Sequence, residues 1–391
     1  MLSKKTQATE PEMFIAGFRF NNTLIITGTR GVPARHGGFE SFAEHLSQYL
    51  AARDWKIIVY CQETGTGSLY HSEWQGIQCI HIPVPKLGTL SSIIFDIKSI
   101  IHSLHYNNSV ILTLGYNTAI FNLLYRLKGK YNVINMDGIE WKRQKWGIGA
   151  KLWLRLNEQF ACWFGNHLIA DHPYISDHLA GQAARKKIST IPYGAHEIIQ
   201  ADASIINKYN LKKNRYALLV ARSEPENSIL EIVTAFSLQN IEGKLVVLGN
   251  YTPCENKYHK AVLAAANNKV IFPGSIYDAK KVDALRFFAR FYIHGHQVGG
   301  TNPSLVEALG AGNAVLAHDN QFNRWVAQDG AVYFHDISSA ATSIQQLFTD
   351  DIIIAKLKNA ARERFQKKFQ LNQILSHYEQ LLLNGFEDKG Y

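Results

Sequence analysis

A glycine-rich turn followed by a helix start has the residue types that bind a diphosphate. Gly299 and Gly300 tolerate a backbone that bends sharply or approaches a ligand closely. Asn302 then fits a helix N-cap, and Pro303 fits the first helical position. A helix N-terminus presents unpaired N–H groups and the positive end of the helix dipole, which together stabilise phosphate oxygens. Glu307, about one turn inside the helix, could accept hydrogen bonds from sugar hydroxyls, while an ordinary strand-turn-helix junction is the alternative.

A second glycine-rich turn follows the apolar segment 22–27 and precedes a helix that we expect from about Ser41 to Ala52. Gly37 and Gly38 would let the backbone approach a bound group. The same turn carries four charged or titratable side chains, which are Arg30, Arg35, His36 and Glu40. The spacing is not G-x-G-x-x-G, and no acidic residue ends the strand predicted at 56–61, so a nicotinamide site is disfavoured. A structural turn with solvated charges is the alternative.

Two carboxylates and two indoles follow the apolar strand predicted at 133–136. Asp137 and Glu140 would lie at the carboxyl end of this strand, where α/β proteins bind ligands. A carboxylate at Asp137 could orient a hydroxyl or stabilise positive charge on a reacting sugar, while a turn aspartate before a glycine is the alternative. Trp141 and Trp146 would either stack on the apolar face of a sugar or pack against the next helix.

Strands and helices alternate along the chain in two successive series, the second starting near residue 215. This alternation predicts parallel sheets covered by helices. We expect an α/β fold with two Rossmann-like domains, residues 1–195 and 196–370, that face each other across a ligand-binding cleft.

The composition is that of a globular protein of two domains, with 391 residues, 46% of them hydrophobic and 19% charged. The formal net charge of +9 is concentrated in residues 1–195, which hold twenty Lys and Arg against thirteen Asp and Glu. Such charge suits phosphorylated substrates, nucleic acid or an anionic membrane surface, but no nucleic-acid-binding motif is present. The four cysteines lack metal-site spacing, and we find neither a signal peptide nor an apolar run long enough to span a membrane.

The segment 149–165 is aromatic and apolar and carries the cations Lys151 and Arg155. A helix with this composition lies either on a membrane surface or against the protein core. The sequence leaves both arrangements open.

Several sequence segments together resemble those of the GT-B glycosyltransferases of family 4, and the resemblance covers nearly the whole chain. In the second half it rests on Val220-Ala221-Arg222, Pro225-Glu226-Asn227, Phe272-Pro273-Gly274-Ser275-Ile276 and residues 299–308. In the first half Gly28-Thr29-Arg30-Gly31-Val32-Pro33, His36-Gly37-Gly38-Phe39-Glu40 and residues 137–143 resemble a bacterial rhamnosyltransferase subgroup. That subgroup serves surface-polysaccharide synthesis, such as that of capsule or lipopolysaccharide.

The resemblance implies that the second domain binds a nucleotide-sugar donor. Arg222 would neutralise the diphosphate, backbone N–H groups near Gly300 would contact it, Glu307 would bind the ribose, and Ser275 and Ile276 would contact the base. The full set of expected donor-binding residues is Arg222, Asn227, Ser275, Ile276, Gly299, Gly300, Thr301, Asn302 and Glu307. Departures from the wider family stand at Gly299, which replaces a glutamate, at Asn227, which replaces a lysine, and at Asp137, which replaces a histidine.

The resemblance also implies an acceptor in the first domain, with the C-terminal segment 371–391 packing back on that domain. The acceptor-binding candidates are Arg30, Arg35, Gly37, Gly38, Glu140 and Trp141, and the catalytic candidates are Asp137, Glu40 and His36. We expect a retaining transfer that needs no metal and no cofactor. The leaving phosphate would take the acceptor's proton, and Arg222 with the helix dipole would stabilise that phosphate.

The expected substrates are dTDP-L-rhamnose and a lipid-linked saccharide at the inner face of the plasma membrane, where the chain would bind peripherally from the cytoplasm. Two alternatives remain open at the sequence level. One is a transferase of the same fold that uses a UDP-hexose or UDP-N-acetylhexosamine, and the other is an inactive sugar-binding relative.

Overall fold

The computed structural model describes residues 22–34 and 37–387. By the density of internal contacts the chain divides into two compact units, Met1–Ile111 and Leu112–Tyr391. The strand β5 (Ser109–Leu114) includes this boundary. The domain boundary near residue 195 stays a prediction.

The first unit contains a mixed set of strands that is mostly parallel. Its elements are β1 (Asn22–Thr27), α1 (Gly38–Ala51), β2 (Trp55–Thr64), β3 (Tyr70–Trp74), β4 (Ile77–Val84) and α2 (Thr89–Ser103). The strand order is β3-β4-β2-β1, and only β3 runs antiparallel to its neighbour. Strand β1 forms because Leu24, Ile25 and Ile26 give an apolar run that is buried on both faces. The antiparallel β3 was not predicted, since its exposed residues lack an apolar pattern.

The second unit begins with three parallel strands and their helices. These elements are α3 (Leu123–Leu127), β6 (Tyr131–Asn135), α4 (Ile148–Phe164), β7 (His167–Ala170), α5 (Pro173–Ala180) and β8 (Ile188–Thr190). Strand β7 lies between β6 and β8, with Ile134 opposite Leu168 and Ile169 opposite Ser189. The carboxyl ends of β6 and β7 are therefore at the same edge of the sheet.

A six-stranded parallel sheet follows in the same unit. Its strands are β9 (Tyr216–Val220), β10 (Lys244–Leu248), β11 (Val270–Gly274), β12 (Phe291–His294), β13 (Ala314–His318) and β14 (Ala331–Phe334). The helices are α6 (Ala203–Asn207), α7 (Ile229–Ser237), α8 (Lys257–Ala265), α9 (Ala279–Phe287), α10 (Pro303–Gly310), α11 (Gln321–Ala327), α12 (Ile337–Thr349), α13 (Asp351–Lys368) and α14 (Leu371–Glu387). The strand order is β11-β10-β9-β12-β13-β14.

Apolar cores cover both faces of this sheet. Phe291 and Ile293 of β12 belong to a cluster with α7 and α12, while Tyr292 packs on the opposite face against Leu285 of α9. The alternation of neighbouring side chains between two faces is the strand period, and burial of both faces is typical of parallel sheets. This packing fixes the carboxyl ends of β9 and β12, from which the candidate site is built.

Helix α14 contacts β6, where the Asn135 side-chain amide donates a hydrogen bond of 2.9 Å to the Tyr378 hydroxyl. Both side chains are buried. Among the described residues no helix is long and apolar enough to cross a membrane.

Candidate active site

The six-stranded sheet has a topological switch point between β9 and β12. From β9 the chain continues to β10 on one side, whereas β12 pairs with β9 on the other side. In open α/β sheets the crevice outside such a pair of carboxyl ends binds ligands. Arg222 follows β9, and the glycine-rich turn follows β12, so both predicted diphosphate elements lie at the switch point.

The turn after β12 leads into α10 as the sequence predicts. Asn302 caps the helix by accepting a hydrogen bond of 3.3 Å from the Ser304 backbone N–H, and Pro303 is the first helical residue. Gly299 has φ +135°, a conformation that L side chains rarely adopt. Gly299 could therefore not be replaced by the family's glutamate without strain at this backbone geometry.

The hydrogen bonds of Thr301, two residues further along the turn, differ from the prediction. The Thr301 backbone N–H donates a hydrogen bond of 2.8 Å to Asp171 Oδ2, and the Thr301 hydroxyl donates to the Asp171 carbonyl oxygen. Thr301 N–H was expected to contact the diphosphate, but here a buried carboxyl group satisfies it. A Cβ on Gly300 would collide with the Asp171 carboxylate, so only glycine permits this close contact.

Asp171 is a site residue that sequence reasoning missed. It follows β7 and is 2% exposed, and its Oδ1 has no hydrogen-bond partner among the described residues. Burial and the nearby charge of Asp137 raise its pKa well above the usual value. Its sequence position could have indicated a site residue, because Asp171, like Asp137, is an acidic residue directly after an apolar strand.

Asp137 follows β6 in a left-handed conformation, with φ 51°. Its backbone N–H donates a hydrogen bond of 3.0 Å to Asn135 Oδ1. Burial, followed by the charge of Glu140, raises the pKa of Asp137 to about 6, while Arg143 and Arg222 oppose this rise. A raised pKa of this kind is common among carboxyl groups at functional sites. Its catalytic role stays a prediction.

Gly138 brings the β6 loop next to the turn after β12. A Cβ on Gly138 would lie 3.7 Å from Gly299 Cα and 3.8 Å from the Gly300 backbone nitrogen. A cavity of about 120 Å³ opens beside this contact. Its walls are formed by Gly138, Ile139, Glu140, Lys142, Arg143, Tyr174, Val298, Gly299, Gln321 and Phe322. The cavity therefore adjoins both the loop after β6, which carries Asp137, and the glycine-rich turn before α10.

An ion-pair network continues along the β6 loop. Arg143 Nη1 donates a hydrogen bond of 2.8 Å to Glu140 Oε1, and Arg143 Nε donates one of 3.0 Å to Glu226 Oε1. Lys145 Nζ lies 3.7 Å from Glu140 Oε2. The predicted site residues did not include Arg143, Lys145 or Glu226, although Arg143 and Glu226 lie within the segments that carry the resemblance.

The two indoles of this loop contact carboxylates. Trp141 Nε1 donates a hydrogen bond of 3.0 Å to Glu158 Oε2 on α4, and Trp146 Nε1 donates one of 3.2 Å to Glu140 Oε2. Trp141 thus adopts the alternative in which it packs against the next helix. Contacts of Glu140 and Trp141 with an acceptor stay predictions.

Arg222 is exposed, and within residues 22–34 and 37–387 its guanidinium forms no ion pair. Asn227 is buried, and its side-chain amide donates a hydrogen bond of 2.7 Å to the Arg222 carbonyl oxygen. Asn227 therefore holds the backbone of the loop that presents Arg222. A direct contact of Asn227 with the donor stays a prediction.

His296 lies in the turn after β12 and stacks on His294, with ring centroids 4.2 Å apart. Burial and the charges of Arg222 and Arg143 lower the pKa of His296 to about 3, so the imidazole is neutral at pH 7. The carbonyl oxygen of His296 accepts hydrogen bonds from the side-chain amides of Asn320 and Asn323 at 3.0 and 2.9 Å. These bonds fix the turn that leads to Gly299.

The residues predicted to contact the base and the ribose of the donor lie after β11 and on α10. Ser275 is exposed and Ile276 is half-buried after β11. Glu307 of α10 accepts a hydrogen bond from Arg286 of α9, which is almost fully buried. The Glu307 carboxylate is partly exposed, so the ion pair leaves room for a ribose contact, which stays a prediction.

The first unit holds the candidates that follow β1. Glu40 is buried in the first turn of α1, and its Oε1 accepts a hydrogen bond of 3.2 Å from the Arg30 backbone N–H. Gly37 precedes the helix, and a Cβ there would lie 3.1 Å from Glu40 Oε2. Helix α1 starts at Gly38, earlier than the predicted Ser41. Glu40 therefore stabilises the glycine-rich turn that precedes α1, and its catalytic role stays a prediction.

Arg35 and His36, predicted for acceptor binding and catalysis, lie outside the described residues. In the described ranges, 22–34 and 37–387, no three His, Cys, Asp or Glu side chains are grouped so as to hold a metal ion.

Two family models match the chain in succession. Residues 21–196 match a domain of unknown function, DUF1972, and residues 202–364 match glycosyl transferases group 1. A search of curated proteins found no match.

Solved structures share the fold at low sequence identity. Sucrose-phosphate synthase from Thermosynechococcus elongatus is 15% identical, with a TM-score of 0.78 over 94% of this chain and 100% of that chain. A glycosyltransferase from Rickettsia africae is 16% identical, with a TM-score of 0.70 over 94% and 99%. Anabaena HepE in complex with UDP is 14% identical, with a TM-score of 0.72 over 93% and 100%.

The matched structures have two Rossmann-like domains with parallel sheets, which is the α/β architecture predicted from the sequence. The family model covers the sheet that contains β9 and β12, and hence Arg222 and the turn before α10. The chain therefore carries a DUF1972 domain followed by a glycosyl transferases group 1 domain, and it is a glycosyltransferase of the GT-B fold.

Proposed function

We propose that this enzyme is a retaining transferase that moves L-rhamnose from dTDP-L-rhamnose to a lipid-linked saccharide in surface-polysaccharide synthesis. The observation that carries the use of a nucleotide sugar is the switch point, where the exposed Arg222 and the N-terminus of α10 follow adjacent strands. HepE, which shares the fold, binds UDP and UDP-glucose. The choice of rhamnose is supported by the resemblance of residues 28–33 and 137–143 to rhamnosyltransferases.

The charges at the site suit cleavage of a sugar–phosphate bond. Cleavage builds positive charge at the anomeric carbon and negative charge on the departing diphosphate. Arg222 and the dipole of α10 would stabilise the diphosphate, and the Asp137 carboxylate would stabilise the sugar or orient the acceptor hydroxyl. The acceptor attacks the face from which the diphosphate leaves, and the leaving phosphate takes its proton.

A donor panel tests this function. The purified chain is incubated with dTDP-L-rhamnose, UDP-glucose, UDP-galactose and UDP-N-acetylglucosamine, each with a lipid-linked saccharide acceptor, and products are read by mass spectrometry. Rhamnose transfer from the dTDP donor supports the proposal. Transfer from a UDP-sugar alone would establish the second candidate, which the UDP-glucose complex of HepE favours. Donor binding without transfer or hydrolysis would identify an inactive relative.

We also propose that the enzyme binds an anionic membrane surface through α4. Ile148, Leu152, Leu156 and Trp163 are exposed and form one stripe of this helix, since their spacing returns to the same side of a helical wheel. Lys151 and Arg155 flank the stripe. Apolar side chains beside cations suit the boundary between acyl chains and anionic headgroups. A lipid-linked acceptor would reach the enzyme at that boundary.

Flotation with liposomes should recover the wild-type chain with anionic vesicles, and recovery should fall as salt screens the cations. The double variant Leu152→Ser/Leu156→Ser should lose most of this recovery because it removes apolar contact. Ile352→Ser is the matched control, since Ile352 is 84% exposed on a different helix. Equal recovery with neutral vesicles would contradict the electrostatic part, and unchanged flotation of the double variant would contradict the role of α4.

A further inference from the structure

The loop that presents Arg222 is poor in positive charge. Between β9 and α7 it contains Arg222 together with two acidic residues, Glu224 and Glu226. Asn227 adds no charge, because its side chain is a neutral amide, which donates a hydrogen bond to the Arg222 carbonyl oxygen. A nucleoside diphosphate carries two to three negative charges at neutral pH, so this loop alone would repel as much as it attracts. The compensating cations must come from another element.

The loop after β6 supplies two cations at this place. Arg143 contacts Glu226 through Nε at 3.0 Å and also through Nη2, while its Nη1 contacts Glu140. Lys145 Nζ lies 3.7 Å from the other carboxylate oxygen of Glu140, Oε2. Burial and the charges of Arg143 and Arg222 lower the pKa of Lys145, which is consistent with three cations gathered in one neighbourhood.

In the Arg143–Glu226 contact one carboxylate oxygen, Glu226 Oε1, accepts hydrogen bonds from both Nε and Nη2 of the guanidinium. A guanidinium presents a planar fork of donors that fits carboxylate and phosphate oxygens alike. The contact also joins the β6 loop to the loop of Arg222, across a separation of 83 residues. Arg143 further borders the cavity next to Gly299, at the amino end of the turn that leads to α10. An anion at this turn would lie within reach of the fork.

We infer that Arg143 and Lys145, together with Arg222, form the binding site for the donor's diphosphate, and that Glu226 occupies the Arg143 guanidinium until the diphosphate displaces it. This inference rests on the proposed use of a nucleotide sugar. It assigns part of donor binding to residues 143–145, which lie in the segment expected to bind acceptor. Glu226 thereby acts as an internal competitor of the donor.

Calorimetry with dTDP and UDP, and with dTMP and UMP for comparison, tests the site. Arg143→Gln should weaken binding of the better diphosphate by roughly 10-fold or more, because it removes charge-assisted hydrogen bonds. Lys145→Gln should weaken it less, since an ammonium acts as a point charge. The monophosphates should lose less affinity than the diphosphates. Arg185→Gln is the control and should leave binding unchanged, because Arg185 is exposed and lies between α5 and β8.

Glu226→Gln gives the most discriminating result. Removal of the competing carboxylate should tighten diphosphate binding, whereas an ion pair with a purely structural role predicts equal or weaker binding. The double variant Arg143→Gln/Glu226→Gln leaves no unpaired Glu226 charge, so it should fold by thermal melting and still bind diphosphate weakly. Wild-type affinity in both Arg143 variants would overturn the inference. Absence of diphosphate binding by the wild-type chain would instead overturn the proposed function.

Discussion

Asp137→Asn should lower turnover by about 10²-fold or more, the range for a positioned catalytic acid or base. The side chain keeps its shape, and asparagine accepts the left-handed conformation at φ 51° as readily as aspartate does. The change therefore removes the charge and leaves the turn. Donor affinity, measured by calorimetry, should stay nearly unchanged.

The wild-type pH profile provides an independent measurement. Burial raises the pKa of Asp137 to about 6, so activity that needs the carboxylate should rise with pH through this value, and Asp137→Asn should abolish that rise.

Stability should change in the opposite direction to turnover. The folded pKa of Asp137 lies above the ordinary value of 3.8, so the stabilisation from its protonated form is complete below about pH 3.8 and is lost as pH rises through about 6. At pH 7.5 the half-buried carboxylate is ionised and costs stability, and Asp137→Asn should melt at the same temperature or higher. Near-normal turnover in this folded variant would leave Asp137 as a turn residue and direct attention to Glu40.

Arg222→Ala should weaken donor binding by about 1.5–3 kcal/mol, the scale of hydrogen bonds to a charged group. The guanidinium is exposed and has no ion pair in the described part of the chain, so its removal should cost little stability. The Arg222 carbonyl, which Asn227 contacts, is retained in the variant. Calorimetry with dTDP and UDP measures the loss, and thermal melting checks the fold.

Arg185→Ala is the matched control for Arg222→Ala, because Arg185 is also exposed but lies between α5 and β8. Native nucleotide affinity in Arg222→Ala would remove Arg222 from the site. Equal losses in both variants would indicate a general effect of net charge.

The elements around the site were predictable where local signals decide them. The Phe291–His294 strand, the Asn302 cap and Pro303 at the first helical position are fixed by residue types within a few positions of each other. Strand β3 was missed because its residues are largely exposed, so no apolar pattern marks it. The start of α1 was placed late because glycines at 37 and 38 disfavour a helix locally.

The contacts inside the site were not predictable, because they join residues that are distant in sequence. Asp171 meets Thr301 across 130 residues, and Arg143 meets Glu226 across 83. Each of these residues has an ordinary local role available, as a strand-end acid, a turn hydroxyl or a solvated charge. The hydrogen bond from the Thr301 N–H to Asp171 depends on how the segments after β7 and β12 pack together. The local sequence alone had predicted that this N–H contacts phosphate.

The pair of hydrogen bonds between Thr301 and Asp171 constrains how the glycine-rich turn can move. Both polar hydrogens of Thr301 go to one residue, and Gly300 lies directly against the same carboxyl group. Any displacement of the turn from β7 breaks both bonds together and leaves a buried carboxyl group without a donor. Displacement of the turn therefore costs two buried hydrogen bonds at once, which holds the glycine-rich turn against the end of β7.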